Sequence, residues 1–263
     1  MLTIGFPEEW KRFEERHGRF VESLPVLRDA CNLAFRRAHL ASLADAVVFG
    51  LGRVCSEEFW EILVLCGNGY GVASTKLIRS MYERAVTARY IHGHPDEAAL
   101  LARHSTIEKG KIARRWLEQF RDAMPPEAVE TLQRAVTDAK GVHDDGLRQK
   151  RDVVSMAVET ATLRHLLGSC YYVALLHAHA TLHSVEAFIH RRDDGSWTFD
   201  SEPQHTEADH ALFHAHTILL DVLDLQAARF KPAELIAPLS AAGQAYGAIW
   251  KTTGEPSAPE EPA

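Results

Sequence analysis

The sequence predicts an all-α protein, folded as a single irregular bundle of about nine or ten helices. Three observations carry this expectation. Apolar residues recur at helical spacing along nearly the whole chain. Prolines stand where helices should begin, and glycines where they should end. Only one stretch, Arg191 to Thr206, clearly lacks helical character.

Taken in order, Pro7 with Glu8 and Glu9 opens the first helix, its acidic turn set against the positive end of the dipole. Pro25 is the expected start of a second, running to about Ala38. A third, from about Ser42 to Cys66, ends in the Gly67-Asn68-Gly69 turn, and a fourth, from about Tyr70 to His92, is stopped by Gly93 and Pro95. Pro95-Asp96-Glu97 begins a helix reaching about Asp122, and Pro125-Pro126-Glu127 begins one that ends at Gly141. After a loop from Gly141 to Gly146, two long helices are expected, about Leu147 to Leu167 and Ser169 to His190. Asp194-Gly195, flanked by Trp197, Thr198 and Phe199, marks a small hairpin or packed surface loop inserted near Trp197. Helices from about Glu207 to Phe230 and from Pro232 to about Lys251 complete one all-α domain over residues 1–251. The Pro- and Glu-rich tail, 252–263, is expected to be disordered.

Composition narrows the function classes. Hydrophobic residues make up 46% and charged residues 25% of the 263, an ordinary globular balance. A formal charge of −7 and a pI near 6.1 give no indication of nucleic-acid binding, which usually shows a net basic domain or stripe. The short basic clusters, Lys109 to Arg115 and Arg148 to Arg151, have acidic neighbours and read as solvated helix faces. None of the four cysteines forms a C-x-x-C pair, which suits reduced core thiols. The start of the chain lacks a signal-peptide pattern, and no run approaches the roughly 18 apolar residues of a membrane span. The expected compartment is the cytoplasm.

The glycines of ILVLCGNGYGVASTKLI do not make a dinucleotide fingerprint. The third glycine, Gly71, comes too early, and the required position is Val72. The segment reads as a helix-turn-helix corner. Fifteen histidines include two i, i+4 pairs, His179 with His183 and His210 with His214, and Glu186 extends the first face. On adjacent helices these groups could hold zinc or another divalent metal. Random placement of fifteen histidines over 263 positions already yields about 0.9 such pairs, so the excess is slight. The R-x4–6-H spacing of helical HEPN ribonucleases occurs at Arg12–His17 and Arg89–His94, but chance alone supplies about 3.6 such spacings here. The more informative charges are Arg79 and Glu83 in LIRSMYERAVTARYI, one turn apart on an otherwise apolar helix. Charges among core residues are costly unless paired, so they form either a structural ion pair or part of a recognition site.

The run GNGYGVASTKLIRSMYERAVTARYI resembles a bacterial family of helical proteins, the domain of unknown function numbered five-six-seven-seven. The resemblance rests on Ala73, Leu77, Arg79, Ser80, Glu83 and Tyr90, and on a later helix carrying Tyr171, Tyr172 and His179. Leu175 stands where that family often has serine, and His177 and His183 compete with His179 for the family histidine. The likeness covers about 40–190. It implies an all-α fold, distantly similar to HEPN-type proteins, with an inner site built from Arg79, Glu83 and His179, and Tyr90 is expected to converge on the same polar spot. It implies no reaction.

Three classes of function follow. The first is an interaction or small-ligand-binding module in bacterial stress or defence, without metal and forming a homo-oligomer through an apolar helix face. The second is a metal-independent hydrolase or ribonuclease, with His179 as general acid-base and Arg79 holding a phosphate. The third is a metal-binding bundle enzyme using His179, His183 and Glu186, joined by His210 and His214.

Overall fold

Apolar periodicity is continued by packing in a computed structural model that describes residues 6–36, 39–142, 152–178, 183–186, 188–199 and 203–250. Its helices are α1 (Pro7–Arg16), α2 (Gly18–Ala34), α3 (Leu43–Gly67), α4 (Gly71–Gly93), α5 (Ala98–Phe120), α6 (Pro126–Lys140), α7 (Val153–Thr160), α8 (Ala174–Ala178), α9 (His183–Glu186), α10 (His205–Phe230) and α11 (Ile236–Trp250). β1 (Ile189–Arg191) pairs antiparallel with β2 (Trp197–Phe199). Gly195, at φ +82°, takes the left-handed position of the turn between them.

The centre of the bundle is the trio α3, α4 and α10, with α2 and α11 packed alongside. Ala208, Ala211, Leu212, Ala215, Leu219 and Val222 repeat at helical spacing along α10 and are all buried. Phe20, Phe59, Tyr82 and Ile218 fill the interior between the layers. Ser42 caps α3 by accepting from the Asp45 amide, and Asp152 caps α7 by accepting from Ser155. The glycine turn joins α3 to α4. Gly69 adopts φ +74°, and Gly71 sits where Gln204 and Ala208, at the start of α10, leave no room for a Cβ.

Three boundaries correct the sequence-based expectations. Pro25 lies inside α2, which begins at Gly18, because one core face formed by Phe20, Leu27, Ala30 and Cys31 runs straight through it. The lost amide hydrogen bond is outweighed by burial. The expected helix over Leu147–Leu167 is reduced, among the described residues, to α7, which stops at Ala161 with φ +58°. Just beyond the break, the buried Tyr82 hydroxyl donates to the Leu163 carbonyl at 3.1 Å and ties this turn to α4. The expected helix over Ser169–His190 becomes a π-helical turn, Leu167–Val173, followed by α8 and α9, and His190 stands in β1. The loop residues 143–146 and the tail, 252–263, fall outside the described residues.

Candidate functional site

Helix α4 presents Ser80, Glu83 and Arg84 to a cleft of about 630 Å³ between α3, α5 and α7. Val47 and Leu51 of α3, Leu101 and Ala102 of α5 and Val153 of α7 supply apolar walls, and His104 and Ser105 of α5 add polar groups. A space of this size accommodates a small organic ligand.

Glu58 braces the wall. Its side chain is 8% exposed and lies on the core side of α3, between Cys55 and Ile62. Its Oε1 accepts from the Ser80 hydroxyl and from Nη1 of Arg84, which also donates to Ser80 Oγ at 2.6 Å. Oε2 is buried without a hydrogen-bond partner among the described residues. Burial pushes the Glu58 carboxyl above the ordinary carboxylate range, opposed by the hydrogen bonds from Ser80 and Arg84.

Arg79 and Glu83 pair within their own helix, Nε to Oε1 at 2.8 Å, and are a quarter and a third exposed. The Arg79 guanidinium lies over the Tyr171 ring, 4.9 Å from its centroid. Glu83 therefore joins the Arg79–Tyr171 surface to the cleft, which it also lines. Tyr90 is not brought to this spot. Eleven residues further along α4, about 16 Å at helical rise, it donates to Glu97 at 2.9 Å and stacks on His94. His179 falls outside the described residues.

The remaining candidates lie on different elements. His183 begins α9, and Glu186 is exposed beside the hairpin, near Trp197. His210 and His214 share a cavity of about 300 Å³ with His177 and Glu207, walled on one side by the π-helical turn. His214 Nδ1 hydrogen-bonds the His210 carbonyl at 2.7 Å, and burial pushes its pKa down. Among the described residues no three His, Cys, Asp or Glu side chains are grouped so as to hold a metal ion. The two R-x4–6-H spacings also disperse: Arg89 grips Asp221 and Asp224 on α10, whereas His94 meets Glu159 at 3.0 Å. Arg12 lies near Glu9, and His17 meets Asp209 at 2.7 Å.

Glu58, Arg84 and His104 were not singled out by sequence reasoning. Glu58 was findable: a carboxylate three residues after Cys55 and four before Ile62 interrupts an apolar face. His104 carries no such signal, because only the fold sets α5 against α3. Among the described residues no helix is long and apolar enough to cross a membrane.

A family model described as a family of unknown function, DUF5677, matches residues 45–196. No curated protein and no solved structure matches the chain.

Proposed function

This chain belongs to the family of unknown function DUF5677, and we propose that it works as a small-ligand-binding module whose site is the α3–α4–α5 cleft. One observation carries the reading: Ser80, Glu83 and Arg84 line, with apolar side chains, a space of ligand size. The chemistry of that wall suits an amphipathic molecule, with an apolar body against Leu51 and Leu101 and a polar end at Ser80, Arg84 and His104. A sensing role in bacterial stress or defence is consistent with such a module.

The test is a thermal-shift screen of aryl and acyl carboxylates, amines and alcohols against the wild type and Ala102→Trp, which fills the cleft from an exposed position. A compound at a hundredfold excess over its Kd stabilises the fold by about 2.7 kcal/mol. Compounds that raise the wild-type Tm but leave Ala102→Trp unmoved support the cleft. Hits that shift both proteins equally defeat it.

A hydrolytic reading is favoured by one feature: His104 and Arg84 line the same cleft. The cleft thus holds a group suited to proton transfer and a guanidinium. Turnover of generic phosphate or carboxylate esters that disappears in His104→Ala would advance it. Equal background rates in both proteins would remove it.

A further inference from the structure

Helices α5 and α6 form an arm. No residue of α6 is buried, and the two helices close on each other where a Cβ on Gly110 would collide with that of Ala139. On another side of α5, Ile112, Trp116 and Phe120 follow at i, i+4 and i+8, and are 54, 55 and 52% exposed. Trp116 and Phe120 meet edge to face at 6.4 Å. Single exposed apolar residues are ordinary, but a contiguous stripe of three large ones marks a contact surface.

The charge around the stripe identifies its complement. Residues 98–120 carry five basic groups (Arg103, Lys109, Lys111, Arg114 and Arg115) and two acidic ones (Glu108 and Glu118), 5 − 2 = +3 in a chain of −7. At about 100° per residue, Lys109 and Arg115 stand roughly 60° to either side of Ile112. Pairing this face with itself would set like charges together. The opposite pattern occurs on the outer face of α3. Val54 and Val64, 41 and 55% exposed, bracket the exposed Glu57 and Glu61. The two stripes, about 12 and 15 Å long at helical rise, match in length. Glu57 is held by Arg53, whereas Arg115 and Glu61 make no ion pair among the described residues.

We propose that a second copy of this chain occupies the stripe, with α5 of one protomer lying on α3 of its partner, apolar against apolar and basic against acidic. Each protomer carries both faces, so two-fold pairing makes the contact twice. The cleft plays no part in this contact, and neither proposal depends on the other.

Sedimentation velocity across micromolar concentrations tests it, using the full chain. The wild type should dimerise reversibly, and less so at high salt. Lys109→Glu/Arg115→Glu makes both faces acidic, and Glu57→Lys/Glu61→Lys makes both basic. Each variant alone should self-associate at least about tenfold more weakly, and an equimolar mixture should recover the dimer. Trp116→Glu should lose it with every partner. All these positions are exposed, and circular dichroism confirms that each variant is folded. A wild type that stays monomeric overturns the proposal, as do variants that self-associate unchanged or a mixture that fails to pair. So does a monomer that instead binds single-stranded oligothymidylate through Trp116, which would give the stripe to a polyanion.

Discussion

The backbone carbonyl of Gln204 occupies the space that a Cβ on Gly71 would need. The start of α10 thereby sits directly on the start of α4, and the glycine turn sets the spacing between two of the three central helices. Gly71→Ala should cost about 1–3 kcal/mol by overpacking, read as a drop in Tm. Gly243→Ala makes the contrast. Gly243 lies inside α11 with open space around its Cβ position, so the same change should stabilise by about 0.4–1 kcal/mol. Equal effects at both sites would refute the close approach.

Arg84 neutralises a carboxylate that α3 carries into the interior. Arg84→Ala leaves the nearly buried Glu58 carboxyl without its cation. Because Arg84 itself is 36% exposed, the loss should be about 1–2 kcal/mol, below the range for a fully buried pair. Adding Glu58→Leu should recover most of it, since both charges then leave together. Denaturant midpoints of the two variants decide the point, and a double variant less stable than the single one contradicts it.

His216 sets a pH limit. It is 1% exposed, packs against Phe20, Phe59 and Tyr246, and accepts from Trp250 Nε1 at 3.2 Å. Burial pushes its pKa down to about 4. Between pH 6.5 and 4 the unfolded chain takes a proton that the folded chain refuses, so stability falls as pH falls through that window. The contribution lost by pH 4.5 is about 2–3 kcal/mol. His216→Gln retains an acceptor for Trp250 without titrating, and its stability should decline less over the same range. Parallel stability–pH curves would show that His216 is not responsible.

All four cysteines are buried and free. Burial pushes the thiol of Cys31 up to about 11 and those of Cys66 and Cys170 up to about 12, and raises Cys55 as well. Thiolate is the reactive form, so a disulfide dye at neutral pH should react only after denaturant is added. Stoichiometric labelling of the native protein would disprove this packing.

The fold was legible where one feature of the sequence was decisive. Pro95, Pro126 and the Asp194-Gly195 turn delimit elements through local backbone chemistry, which neighbouring helices do not change. The break at Ala161 was hidden, because the contact that anchors the turn beyond it, Tyr82 donating to Leu163, joins residues far apart in sequence. The site divides in the same way. Arg79 and Glu83 were visible as an i, i+4 pair, which is a property of one helix. Their relation to Glu58, Arg84 and His104 depends on how α3, α4 and α5 lie together, and no spacing along the chain encodes it. Tyr90 shares the helix of Arg79 but not its surroundings, a reminder that sequence proximity in a long helix is distance in space.

The absence of buried residues in α6 divides the molecule into parts that open at different cost. Amide protons in α3, α4 and α10 are released only when the interior comes apart, whereas those in α6 need only the detachment of one helix from α5. Hydrogen exchange in α6 should therefore run ahead of the rest, and mild proteolysis should cut the arm's tip around Met124 while the bundle stays folded.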